Sequence, residues 1–169
     1  MRDSLKRTIV RAVIAFPLAM AAFLVWTFRS KDPVAIARVK AFNRAWFNPL
    51  ALRFAGHAGN TARLEHRGRK TGQIHATPVD AEPVAEGFLI LMPYGPDVDW
   101  ARNILHAGAG VLQARGVRYR IGNPRIFPFA LAAAELPWSV RITARLFDVT
   151  TLFRVDVLPT LTADVPPPA

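Results

Sequence analysis

The chain contains no cysteine. Disulfides, thiolate nucleophiles and thiolate metal sites are therefore excluded, and the composition suits a reducing compartment. Tyrosine is scarce: Tyr94 and Tyr119 are the only two. Acidic residues are scarce in one part of the chain. Residues 1–75 hold 14 Lys and Arg against 3 Asp and Glu, a net of +11, whereas residues 76–169 hold 8 against 9, a net of −1. Such asymmetry points to an anionic partner of the first half: lipid, nucleic acid or an anionic ligand. No GxSxG, HExxH, Walker A or GxGxxG pattern occurs, so the sequence shows no hydrolase, zincin, P-loop or dinucleotide signature. Among His57, His66, His75 and His106 no pair has i, i+4 spacing, and no metal site is expected. Asp97 and Asp99 suit the start of a helix, where carboxylates meet free N–H groups.

With 169 residues, 51% of them hydrophobic, the chain can bury one core. The run Ala12 to Phe28 has 17 residues and no charge, about 25 Å as a helix against roughly 30 Å of hydrocarbon. Arg2, Lys6, Arg7 and Arg11 precede it, Arg29 and Lys31 follow it, and Pro17 interrupts it. A membrane anchor or interfacial helix, a buried helix of a soluble or dimeric protein, and a cleaved signal all stay open, the first favoured. Residues 1–30 are thus read as a membrane-associating segment, 31–158 as the folded domain and 159–169 as a disordered, Pro-rich tail.

Ile36, Val39, Phe42, Trp46 and Leu50 recur at helical spacing, which predicts a helix packed on the core and ended or bent at Asn48-Pro49. From Thr61 the period becomes two. Strands are expected at 61–67, 73–79 and 88–92, a short helix at 98–108, a strand hairpin at 110–114 and 117–122, and a last strand at 151–157. The stretch 123–129 carries two prolines and is expected to leave the sheet; residues 129–147 read as helix interrupted at Pro137. Short hairpin-linked strands with a helix between them predict an α+β fold: a small antiparallel β-barrel with N-terminal helices and helical C-terminal additions.

The segment HRGRKTGQ, 66–73, packs His66, Arg67, Arg69 and Lys70 about two glycines. A solvated hairpin turn explains the glycines. An anion site explains the cations as well: Gly68 and Gly72 let backbone N–H groups face a ligand, Arg69 offers a planar fork, Lys70 a point charge and Thr71 a hydroxyl. The bare turn does not choose between the two.

The order of motifs adds to it. Gly68-Arg69-Lys70-Thr71-Gly72, then Thr77-Pro78, then Trp100-Ala101-Arg102-Asn103-Ile104 resembles the deazaflavin-dependent nitroreductase family of flavin-binding split β-barrels. The likeness covers roughly residues 61–125. It implies a split barrel of the flavin-binding type and coenzyme F420, a deazaflavin with a phosphate and an oligoglutamate tail. It assigns Arg69, Lys70, Thr71 and Gly72 to the phosphate and tail. Thr77, Pro78 and Val79 would line the ring, with Met92, Pro93, Tyr94 and Gly95 along its other side and Trp100 and Asn103 in support. Arg67 and Arg102 are weaker additions.

The implied activity is hydride transfer from the reduced coenzyme to an apolar acceptor such as a quinone or nitro compound, at the cytoplasmic face of a membrane, with Tyr94 as the candidate proton donor. The family's several C-terminal tyrosines are missing here, which turns the expectation from nitroimidazoles toward quinones. A non-catalytic coenzyme carrier and an FMN-binding barrel are the alternatives. A homodimer is an option; no nucleic-acid partner is expected, because the chain lacks an aromatic-basic strand signature like that of single-strand binders.

Overall fold

Alternation in TARLEHR sets the first strand. In β1, Thr61–Arg67, the side chains of Ala62, Leu64 and His66 are buried while their neighbours are less so. The computed structural model of the chain describes residues 2–159, without the side chains of residues 2–14 and 16. Most of the expected tail lies outside them. The other strands are β2 (Ile74–Val84), β3 (Gly87–Leu91), β4 (Ala109–Ala114), β5 (Val117–Pro128) and β6 (Thr151–Val157). They close an antiparallel barrel in the order β1-β2-β3-β6-β5-β4. The fold is α+β, a small barrel with helical additions, as expected. Leu64, Ile90, Ile104, Leu112, Ile121, Phe153 and Val155 belong to its buried core.

β2 is longer than its sequence pattern suggests and holds Pro78 and Pro83. It pairs with β1 up to Asp80 and with β3 from Ala81. Gly68 N–H donates to Gln73 O and Ala81 N–H to Asn60 O, which fixes the alternation of hydrogen-bonded pairs along the β1–β2 ladder. Pro78, opposite Arg63, therefore falls at a position whose missing N–H faces away from β1, where β3 has not yet begun. β5 corrects the expectation for residues 123–129. The chain stays in the sheet to Pro128, because a register shift between Gly122 and Arg125 takes up the irregular residues, with Asn123 at φ 51° and Pro124 inside the bulge.

Helices flank the barrel. α1 (Arg2–Ser30) runs through Pro17. Thr27 and Phe28 near its end are buried, while Leu18, Met20, Phe23 and Trp26 are exposed. Among the described residues no helix is long and apolar enough to cross a membrane. Asp32 caps α2 (Pro33–Phe42), its side chain accepting from Ala35 N–H at 2.7 Å. The helix does not end at Asn48-Pro49; its geometry changes just before it. A π turn at Asn43–Phe47 leads into α3 (Asn48–Ala51), and a wider turn accommodates a proline that cannot donate into the preceding helix. Packing on the core is also corrected: Val39 is buried and Ile36 half-buried, but Phe42, Trp46 and Leu50 are exposed. α4 (Asp99–Ala107) ends on left-handed Gly108, and α5 (Phe129–Ala132) and α6 (Trp138–Leu146) lie either side of Pro137.

Candidate functional site

The turn joining β1 to β2 meets the N-terminal half of α4. At Gly68 a Cβ would meet the exposed His75 ring and Thr71 Oγ1, both at 2.9 Å, side chains that would have to turn aside. Gly72 is needed for its backbone, at φ 70°. The glycine N–H groups do not face a ligand. Gly68 N–H bonds Gln73 O at 2.7 Å, and Gly72 N–H bonds Gly68 O at 2.8 Å. Arg67 also closes the turn, donating to Gly72 O at 3.3 Å. Lys70 and Thr71 stand exposed at its crown.

Arg69 turns inward. Its backbone N–H and its Nη1 both donate to Asn103 Oδ1, at 3.2 and 2.9 Å, while Nη2 pairs with Asp99 at 3.0 Å. With its oxygen so occupied, the Asn103 amide presents its nitrogen to His66 Nδ1 at 3.1 Å. A nitrogen that accepts carries no proton, so the His66 proton sits on Nε2 and is donated to Thr77 Oγ1 at 3.1 Å. A directed chain of hydrogen bonds thus runs Arg69, Asn103, His66, Thr77. The Thr77 hydroxyl, accepting from His66, keeps its own hydrogen to donate.

Burial, and secondarily the nearby His75, pushes the His66 pKa down to about 4, against an opposing pull from Asp99. His66 is 4% exposed and neutral at pH 7. The sign follows from linkage. An unfolded His66 takes up its proton near 6.5 and the folded one only near 4, so stability is full above that window and is lost as pH falls through it. Denaturant unfolding should show a loss of about 3 kcal/mol from this group. The same series on His66→Gln should lack that slope; an equal slope in both proteins would mean the folded imidazole titrates normally.

Asp99 also holds Arg44 at 3.7 Å, and Arg102 pairs with Asp97 at 2.7 Å. The Arg69 hydrogen bond, aided by Arg69, Arg44 and Arg102 charge, holds the Asp99 carboxyl below its ordinary range. Tyr94 closes the other side. Its hydroxyl accepts from Asn43 Nδ2, its ring lies 5.2 Å from Phe28, and Lys40 Nζ sits 5.6 Å from the ring centre. Burial raises its pKa, so the phenol keeps its proton at neutral pH.

The structure brings some of the residues expected from the sequence together and leaves others apart. The structure joins Arg67 with Gly72, and Arg69 with Asn103 and, through His66, with Thr77. Thr77 and Val79 face the interior, while Pro78 between them points outward by strand alternation. Met92 lies in the core and Trp100 packs edge-on against Phe153, centroids 5.0 Å apart. Pro93 and Gly95 are half-buried. Phe28, Lys40, Asn43 and Arg44 were not singled out, and His66 and Asp99 were read only as a turn cation and a helix start. His66 was legible as an inward residue of an alternating strand; Asn43 sits on the same helical row as Val39, a polar break in an apolar stripe. Among the described residues no group of three or more His, Asp or Glu could hold a metal ion. A shallow cavity of about 550 Å³ lies at the far end of β2, lined by Pro83, Phe88, Tyr119 and Asp156 among others, away from these residues.

No family model matches the chain, and no curated protein matches it. Ten chains of solved structures match. One of them is 20% identical, covers 66% of this chain and 80% of its own, and superposes with a TM-score of 0.41, a likeness too slight to bear on function.

Proposed function

We propose that the protein binds a deazaflavin of the coenzyme F420 type and passes its hydride to an apolar acceptor such as a quinone or nitro compound, at the cytoplasmic face of a membrane. The observation that carries this reading is the donor set around the 68–72 turn. Arg67, Arg69 and Lys70 lie on or beside the turn, Arg69 and Arg44 share Asp99, and Arg102 pairs with Asp97, so five cations stand against these two carboxylates. A phosphate and an oligoglutamate tail are polyanions, and this surplus of cations fits them.

When bound, such a coenzyme supplies the hydride, which removes the need for a nucleophile or a metal. The chain's own residues have narrower tasks. Lys70 and Thr71, exposed at the turn, bind the anionic groups. Arg69, held by Asn103 and Asp99, fixes the turn and adds its charge. Tyr94 holds a proton that it can give to a reduced acceptor, with Asn43 fixing its hydroxyl. Phe28 shields the Tyr94 ring from water on one side.

Titrating coenzyme F420 fluorescence with the protein tests the reading. Lys70→Ala should weaken binding about tenfold or more without changing the unfolding midpoint. Mixing reduced coenzyme with a menaquinone analogue should then show acceptor-dependent oxidation. Absence of binding would sink cofactor and mechanism together. Binding without oxidation across quinones and nitro compounds would make the protein a carrier, and tighter binding of FMN would move it to the ordinary flavins.

A further inference from the structure

The helical segment from α2 to α3 turns its apolar stripe outward. Phe42 is 60%, Trp46 73% and Phe54 69% exposed, and Phe47 and Leu50 are also exposed. Phe42, Trp46, Leu50 and Phe54 recur every four residues, and Arg38 heads the same row. Scattered exposed apolar residues are ordinary, but four large ones on one short helical segment and Phe54 in the turn that follows it are not. A partner is missing from this face, and its charge says which kind. From Pro33 to Asn60 the chain carries Arg38, Lys40, Arg44 and Arg53 and no carboxylate. Lys40 is turned to Tyr94 and Arg44 reaches Asp99; Arg38 and Arg53 are exposed. A self-complementary contact with a second copy would bring these cations against their own kind with no acid on the segment to receive them.

We infer that the Phe42–Phe54 face docks on the surface of an anionic bilayer. Trp46, Phe47, Leu50 and Phe54 enter the boundary between headgroups and acyl chains, and Arg38 and Arg53 meet lipid phosphates. This contact is separate from any made by residues 1–30. It also has a spatial consequence. Asn43, next to Phe42 in the chain, holds the Tyr94 hydroxyl, so the bilayer lies about one helix diameter, roughly 10 Å, from that tyrosine. The inference stands without the cofactor reading.

The absence of cysteine makes a direct test simple. Leu50→Cys in the full chain, labelled with a polarity-sensitive fluorophore, is mixed with phosphatidylcholine–phosphatidylglycerol vesicles, with pure phosphatidylcholine vesicles, and with buffer alone. Glu86→Cys, on the exposed β2–β3 turn, is the control. The Leu50 label should shift to the blue and brighten on anionic vesicles, with partitioning about tenfold or more stronger than on neutral ones, and the Glu86 label should not change. A Leu50 label that ignores anionic vesicles overturns the inference. An equal response to neutral vesicles removes its electrostatic basis, and a blue shift that grows with protein concentration in buffer assigns the face to a second copy instead. None of these readouts involves the coenzyme.

Discussion

Gly87→Ala should destabilise the barrel by about 3 kcal/mol or more, the largest loss expected of any single methyl group in this chain. Gly87 opens β3, where the β2–β3 hairpin meets β6, opposite Asp156. A Cβ there would run into the backbone carbonyl of Val155 and the Cα of Asp156. Neither neighbour is a side chain that can rotate aside. Relief requires parting β3 from β6 where Val157 N–H also bonds Glu86 O at 2.8 Å. Urea unfolding measures the loss, with Glu86→Ala, one residue away and exposed, expected within about 0.5 kcal/mol of the parent. A Gly87→Ala protein as stable as the Glu86→Ala protein would mean that the seam yields.

Asn103→Ala should cost about 2–4 kcal/mol and change a titration as well. Asn103 is 5% exposed, and truncating it leaves the Arg69 backbone N–H, Arg69 Nη1 and His66 Nδ1 without their partner. Part of the loss is shared. Combined with His66→Leu, the two changes should fall short of additivity by about 1 kcal/mol, because each removes the same hydrogen bond. A packing role alone would not move a pKa. Asn103→Asp should raise the His66 pKa, since a carboxylate at that position accepts a proton-bearing Nδ1 and favours the imidazolium. An imidazole resonance that titrates alike in Asn103→Asp and the parent protein would disprove the assigned direction of the chain.

Both effects depend on contacts that local sequence patterns report unevenly. The bounds of β1 follow from alternation alone, because half of its side chains face the core and half do not. α4 was legible from Asp99 at its start and Gly108 at its end, two residues whose local chemistry marks helix termini. β5 was not. Asn123, Pro124 and Pro128 are read as breaks when each residue is weighed alone, and only the pairing with β6 shows that a bulge absorbs them. The segment 33–51 failed in the opposite sense. Its spacing gave the helix correctly, but period reports which side chains share a face and is silent on whether that face meets protein or solvent.

The site divides along the same line. The 68–72 turn stood out by its glycines and cations, whereas Tyr94 and Asn103 entered only through the resemblance in motif order. Asn43 reaches Tyr94 across 51 residues and Arg69 reaches Asp99 across 30. Such pairs are set by how the elements dock, and no spacing rule within one element encodes them. The directed chain through His66 is less legible still, because its polarity is fixed by the amide of Asn103 accepting from Arg69.

The closed order of the strands carries one more consequence. The sheet returns on itself, with β4 paired to β1, but β2 keeps one open edge, because Ile74 to Asp80 pair with β1 and β3 joins only from Ala81. Pro78, which has no N–H to offer, interrupts that edge and disfavours addition of a strand along it. Association then falls mainly to side chains, and large apolar ones turned to solvent are on its helices. Specificity toward partners can then change by surface substitution on α1, α2, α3 and α6 while the hydrogen-bonded wall behind them stays as it is.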